Sequence, residues 1–421
     1  MTEPIKILRS NSIYTGISDQ PLIDGYILVQ GSKILALKEG EIRADDLPKS
    51  AKVYDFRGKT ISPGLIDSHT HLVHAGSREK ELALKLAGAS YMEIHKVGGI
   101  KSTVAATRAA SAQELRLKAQ KALENMLRHG TTTVEAKSGY GLDLETELRV
   151  LRINRELDKL QPLTVVSTYM GAHDLPKEFD HNEAYIDFMI HEVMPKVKEE
   201  GLAEFVDIFC EEGIFSLEDS RKIGEAAKKL GFKLKIHADE IEAMGGAGLA
   251  AELGATSSEH LMAIADEDIP RMAASGTVAV VLPATTFFLR AERFAPAKKM
   301  RTEGVTVAIA SDYNPGSSPC ENLQMAMDMA CFGMGLEPLE ILEGVTINAA
   351  KAVNLEDQYG SLEAGKYADF TIFDAISPDY IFYHFGVNKV TDVFKWGEQV
   401  LCDRALNTEA LDRVLTLKQS Q

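Results

Sequence analysis

The sequence predicts a closed (β/α)8 barrel that carries a small β-sandwich domain built from both chain ends, and three observations predict it. Between about residues 61 and 355, eight apolar stretches of strand length alternate with helix-length amphipathic segments, the pattern of parallel strands joined by crossover helices. The residues on either side of this region read instead as short strands broken by turns. Polar and ionisable residues end the long region's strands, where a barrel of this kind places its active site.

A chain of 421 residues exceeds the roughly 250–300 at which single cores stop growing. We therefore expect a barrel over 61–355 and a composite small domain from 1–60 and 356–421. Hydrophobic residues at 45% and charged residues at 26% fit a folded globular chain. A net charge of −16 opposes binding to nucleic-acid phosphates and to anionic lipid, which leaves a small molecule as the expected partner. Cys210, Cys320, Cys331 and Cys402 are scattered, so neither a disulfide framework nor a thiolate zinc site is expected, and a reducing cytoplasm fits. The amino terminus lacks the apolar core of a signal peptide, and no apolar run approaches a membrane span.

Taken in order, strands are expected at 26–29, 33–37 and 52–56, separated by Gly and Asp clusters. The first barrel strand begins at Pro63 and ends in His69-Thr70-His71. The other seven are expected at 131–136, 163–168, 205–209, 232–237, 255–259, 277–282 and 305–311. Over 112–129, Leu115, Ala119, Leu123, Met126 and Leu127 recur at helical spacing, and Gly130 follows where a left-handed cap is wanted. Ser216 and Asp219 form a capping-box pattern for a helix that closes at Gly231. Short strands return at 368–373 and 390–395.

Alternate residues of a strand share a face, so His69 and His71 point the same way and both reach a single metal ion. The fifth strand ends in His237, the sixth runs into His260, and the eighth ends in Ser311-Asp312. His69, His71, His237 and Asp312 would give one divalent ion three imidazoles and a carboxylate, a set suited to zinc or iron. Such an ion lowers the pKa of a bound water to about 7, and Asp312 is placed to accept its proton. Glu240 and His260 are placed to transfer protons, although a carboxylate at a helix start would explain Glu240 equally well.

Five segments carry a resemblance. The runs 63–78 and 235–240, Met170-Gly171-Ala172-His173, the Ser138-Gly139-Tyr140-Gly141 segment and Asn314-Pro315-Gly316-Ser317-Ser318 resemble the imidazolonepropionase family of the amidohydrolase superfamily. The resemblance spans essentially the whole chain in the family's order. It implies a metal-dependent hydrolase barrel that opens the ring of 4-imidazolone-5-propanoate to give N-formimidoyl-L-glutamate in histidine degradation. It also implies that His69, His71, His237 and Asp312 hold the metal, and that Arg78 pairs with the propanoate carboxylate. Tyr140 and His173 would line the ring pocket, with Tyr91 as a further contact. Glu240 and His260 would assist proton transfer and orient the ring, while Asn314, Gly316 and Ser317 would hold the product's glutamate end. A homodimer is implied as well.

Another amidohydrolase, an aromatic deaminase or a different cyclic amidase, is the enzymatic alternative, and Arg78 and Tyr140 discriminate against it. A non-catalytic binding protein would have no need of Glu240 and His260 beside the metal. Phe209-Cys210-Glu211-Glu212 at the end of the fourth strand offers no lysine to bridge two metals, although Glu211 leaves a bridged pair open, and Lys137 ends the wrong strand. The two glycines beside Tyr140 read as a mobile loop or, equally well, as ordinary turn chemistry, and Gly316 can expose backbone amides to a ligand, with a plain tight turn as the competing reading. His74 stands where the family is expected to carry an apolar or aromatic residue, and Asp174 adds charge beside His173. His95, His129, His181, His191 and His384 read as structural or surface residues.

Overall fold

The computed structural model describes residues 4–420 apart from 19, 41, 43–49, 89–92 and 94–97. Six strands precede the barrel: β1 (Ile5–Ser10), β2 (Ser12–Ile13), β3 (Gly25–Gln30), β4 (Lys33–Glu39), β5 (Lys52–Asp55) and β6 (Thr60–Pro63). Eight parallel strands follow, β7 (Leu65–Asp67), β8 (Thr131–Lys137), β9 (Thr164–Ala172), β10 (Phe205–Cys210), β11 (Lys233–Ala238), β12 (Ser257–His260), β13 (Val278–Val281) and β14 (Val307–Ile309). Each neighbours the next in chain order. Every one of the eight expected barrel strands is present, and helices cover their outer face, so nearly every strand residue is buried.

The seam between β7 and β14 is closed just beyond the strands themselves. Asp312 N donates to His69 O at 3.1 Å and His71 N to Tyr313 O at 2.8 Å, with a parallel bridge between Thr70 and Tyr313. Asp67 reinforces it by accepting from Ser311 N at 3.0 Å and Ser311 Oγ at 2.5 Å. His69 and His71 therefore lie past the end of β7, in a segment held by the chain that carries Asp312.

Both chain ends build the remaining sheets, which include β15 (Phe370–Phe373), β16 (Val390–Lys395), β17 (Glu398–Cys402) and β18 (Ala405–Leu406). One sheet runs β18-β17-β16-β15-β6-β2 and the other β4-β3-β1-β5. Leu8, Ile27 and Val29 of the second pack with Ile61, Phe370 and Phe394 of the first in one core, which makes a sandwich. The strand β6 hands the chain directly to β7 through Gly64, where a Cβ would lie 2.3 Å from Thr132 Oγ1.

Local signals explain the helices. Ser111 and Glu114 cap Ala112–Arg128 reciprocally, as Ser216 and Asp219 cap Leu217–Lys229. Gly130 and Gly231 follow with φ of 95° and 80°. The carboxy-terminal region departs from the expected short strands by adding a helix, Thr408–Gln419. Ala410, Leu411, Val414 and Leu415 recur there at helical spacing behind an Asn407 cap, a signal that the sequence did carry, and Ala410 and Val414 are its buried residues.

Lys395 ties sandwich to barrel. Fully buried, its Nζ reaches Asp369 Oδ2 at 2.6 Å, Thr132 O at 2.9 Å and Thr164 Oγ1 at 2.9 Å. Replacing it with methionine strands the Asp369 charge, so Lys395→Met should lower unfolding free energy by ~3–5 kcal/mol in a urea titration.

Candidate active site

Ring nitrogens of His69, His71 and His237 lie within 4.8 Å of one another. Asp312 Oδ1 stands 3.4 Å from His69 Nε2 and 3.6 Å from His71 Nε2. All four side chains are buried, and His69 Nε2, His237 Nε2 and Asp312 Oδ1 have no hydrogen-bond partner among the described residues. Buried acceptors turned on one point are costly unless a cation joins them. The donor set therefore fits a divalent metal ion.

A layer of buried charge beneath the histidines sets their orientation. Glu259 Oε2 lies 2.6 Å from His69 Nδ1, and Asp207 Oδ1 3.0 Å from His237 Nδ1. Each carboxylate accepts a hydrogen bond from Nδ1–H, which fixes that tautomer and leaves the Nε2 lone pair facing the centre. Lys137 holds Asp207 at 2.7 Å and Glu135 at 2.9 Å, while Lys235 Nζ approaches Glu259 at 3.4 Å. Burial alone would raise the Asp207 pKa, but the His237 ring and the Lys137 ammonium pull it well below the carboxylate range. Burial likewise opposes the Lys137 charge, and Asp207, Glu135 and Glu259 outweigh it, so the ammonium stays protonated. Neither partner role was foreseen. The available signal was a charge inside an otherwise apolar strand, as in Phe205-Val206-Asp207-Ile208-Phe209.

Burial and neighbouring positive charge hold the His69 and His71 rings neutral, as ligands must be. Asp312 is pushed up to about 6, chiefly by burial. It adopts a left-handed backbone with φ of 53°, and its Oδ2 accepts from Thr285 Oγ1 at 2.6 Å. Glu240, 3.7 Å from His260 Nδ1, is pushed well above the ordinary range by burial and by the Asp312 and Glu211 carboxylates. Two carboxyl groups facing one pocket are the residue types that can serve as base and acid. The helix-start role open to Glu240 belongs to Asp239, which accepts from the backbone N–H groups of residues 244–247.

Above the centre, a pocket is lined by His71, His237 and Asp312 and by Arg78, Tyr140, His173, Asn314 and Ser317. Glu240 and His260 also line it, and Ile100 and Phe209 join without having been anticipated. Tyr91 lies outside the described residues. Gly316 sits against the Arg78 guanidinium, and a Cβ there would lie 2.0 Å from Nη1. His173 stacks on His71 with ring centroids 4.9 Å apart and is anchored by Gly139 O at 2.9 Å.

Several expectations change. The Tyr140 loop is a tied turn: Tyr140 is buried, and Glu147 gathers the N–H groups of Gly139, Gly141 and Leu142 at 2.7–3.2 Å. The amides of Gly316 and Ser317 are not open to a ligand, because Asn314 Oδ1 accepts both, at 2.8 and 2.7 Å. Ser317 Oγ accepts from Asn314 Nδ2, which leaves its hydroxyl proton for the pocket. Glu211 is not available to bridge metals, since it accepts from the backbone of residues 240–242. Lys137 is tied into its ion pairs. His74 is a buried ring behind His71, kept neutral with its pKa near 3 by burial and packed on Tyr140 and Tyr313. Asp174 turns back on its own chain and accepts from Leu175 N at 2.8 Å.

Residues 60–400 match the model of the amidohydrolase family. The chain is 58% identical to imidazolonepropionase of Treponema denticola, over 93% of this chain and 96% of that protein. It is 52% identical to imidazolonepropionase of Fusobacterium nucleatum, over 90% and 91% respectively. In fold it is similar to a triazine hydrolase variant, with a TM-score of 0.74 at 17% identity over 99% of both chains. It is also similar to a zinc-bound adenosine deaminase from Xanthomonas campestris, with a TM-score of 0.71 at 18% identity over 100% and 99%. No helix among the described residues is long and apolar enough to cross a membrane.

Two measurements test the centre. Asp207→Asn or Glu259→Gln should weaken binding of a divalent ion by about 10- to 100-fold in a chelator competition. Because a ligating carboxylate must be ionised, affinity of the metal-free protein should fall as pH drops through about 6, by up to about tenfold per pH unit for this group, with proton release on binding visible by calorimetry.

Proposed function

The chain belongs to the amidohydrolase family and, within it, to the imidazolonepropionases, and from that premise we propose how its residues hydrolyse 4-imidazolone-5-propanoate to N-formimidoyl-L-glutamate. The observation that carries the reading is a single pocket with an arginine at its wall and a metal-type donor set in its floor. An anionic side chain and a cyclic amide match those two features.

A divalent ion held by His69, His71, His237 and Asp312 supplies a Lewis acid for the amide carbonyl and a water molecule of lowered pKa. We assign one ion, zinc or iron, on the three-imidazole, one-carboxylate set and on the commitment of Glu211 and Lys137 elsewhere. Arg78 pairs with the propanoate carboxylate, which suits its planar fork. Tyr140 and His173 hold the ring between the arginine and the floor. Asp312, steadied by Thr285, accepts the proton of the attacking water. His260 stabilises the oxyanion that develops on the carbonyl oxygen. Glu240 gives its proton to the ring nitrogen as the C–N bond breaks. Asn314, Gly316 and Ser317 shape the end of the pocket that receives the product's glutamate carboxylates.

The same reading places the enzyme in the cytoplasm, supported by four free cysteines, and makes the working unit a homodimer, supported by the exposed rings of Phe332, Tyr383 and Phe385. It divides the chain into 61–355 and a unit of 1–60 with 356–421, supported by the core shared between the end sheets, with β6 carrying the second unit on to Pro63.

The test adds freshly generated 4-imidazolone-5-propanoate to metal-loaded protein and follows ring absorbance, identifying the product by mass. Turnover should be abolished by chelation and restored by zinc or iron. Arg78→Met should raise KM by about 30- to 100-fold through loss of a charge-assisted pair. Absence of turnover in protein that carries metal, or an unchanged KM, would overturn the reading.

A further inference from the structure

Arg78 does not stand alone at the pocket wall. Its Nε lies 3.0 and 2.9 Å from the two carboxylate oxygens of Glu81, and its Nη2 lies 2.8 Å from Glu81 Oε2. Glu81 thus takes the Nε–Nη2 edge of the guanidinium. Nη1 has no hydrogen-bond or ion-pair partner among the described residues, although it packs closely enough on Gly316 to exclude any Cβ there. A surface pair three residues apart would be of little consequence. This pair differs because the Arg78 and Glu81 side chains are only 8% and 12% exposed and because Arg78 lines the pocket.

Lys85 completes the arrangement. Its Nζ donates to the carbonyl of Gly316 and lies 4.5 Å from the centre of the Phe288 ring. The Gly316 peptide is therefore flanked by two cations, one of which is neutralised by Glu81. A free arginine has many rotamers to lose when it meets a ligand, whereas a guanidinium already fixed along one edge loses few.

We propose that Glu81 is a positioning residue for carboxylate recognition: it fixes Arg78 by one edge so that the Nη1 end, backed by Gly316 and Lys85, is presented to the substrate's side-chain carboxylate. The inference rests on the assignment of Arg78 to that carboxylate, and goes beyond it by naming what sets the arginine's direction. It predicts discrimination between an acid and its neutral amide that depends on a residue the substrate does not touch. It also excludes the opposite role, in which Glu81 competes with the substrate for Arg78.

The test compares wild type, Glu81→Ala, Glu81→Gln and Glu81→Asp, all metal-loaded, with thermal melts to establish that each is folded. Calorimetry measures binding of two stable probes, 3-(imidazol-4-yl)propanoate and the corresponding primary amide, and kinetics are measured with the imidazolone acid. Glu81→Ala and Glu81→Gln should weaken acid binding about tenfold with the amide unchanged, and raise KM about tenfold while kcat stays within about threefold. Glu81→Asp should recover part of the loss. An unchanged or tighter acid affinity in Glu81→Ala would overturn the proposal, tighter binding marking Glu81 as a competitor. Equal weakening of acid and amide would also overturn it, as a general loss of structure. The probes keep the two readings separate: if wild type binds the acid but turns over no imidazolone, the functional reading fails while the acid-to-amide ratio still decides the role of Glu81.

Discussion

The interaction on which the site depends is the ion-pair layer in the barrel interior, where Lys137 sits between Asp207 and Glu135 and Lys235 stands beside Glu259. Charges this deeply buried persist only when they satisfy one another. Here that mutual satisfaction has a direction, because Asp207 and Glu259 each extend a second oxygen to a histidine Nδ1. The tautomer and aim of His69 and His237 follow from it. An interior made only of Val and Ile would pack as well, and would leave both rings free to turn.

The same device recurs around the rim. Glu147 gathers the loop that carries Tyr140, Glu211 the backbone at Glu240, Asp239 the turn that follows, and Asp67 the chain entering Asp312. Asn314 does this for its own turn. The loops that carry Tyr140, Glu240, Asp312 and Asn314 are each wrapped around a buried acceptor, so they are held in place although they contain several glycines. Preorganisation of this kind lets polar groups act without rearrangement when a ligand arrives. The pairing of Arg78 with Glu81 extends the pattern from backbone to side chain.

Burial does the rest of the chemistry. It keeps the histidine rings neutral, raises Asp312 to about 6 and Glu240 well beyond the usual carboxylate range. Two carboxyl groups in one pocket thereby hold their protons more tightly than free carboxylates do, without any special residue type. A chain with net charge −16 still gathers two cations, Arg78 and Lys85, at one place on either side of Gly316.

How much was legible depended on whether the cause was local. The eight strands, the helix after Ser216 with its capping box, and the polar residues at strand ends are set by neighbours within a few positions, so alternation and capping patterns display them. The order His69, His71, His237, Asp312 could be picked out because barrel topology dictates that strand ends meet. What the sequence could not display is which acceptor serves which donor. Glu259 and His69 are 190 residues apart, and only closure of the barrel across β7 and β14 brings them to 2.6 Å. At the Tyr140 loop and the Gly316 turn the glycines left motion or exposure and an ordinary turn equally open, because glycine permits all of these. Tertiary structure decided for the turn at both by supplying Glu147 and the Asn314 side chain as acceptors. The sequence by itself thus determined the barrel and the residues at its mouth, through local periodicity. Their orientation, protonation and partners were decided by burial and by contacts between distant strands, which exist only once the barrel is closed.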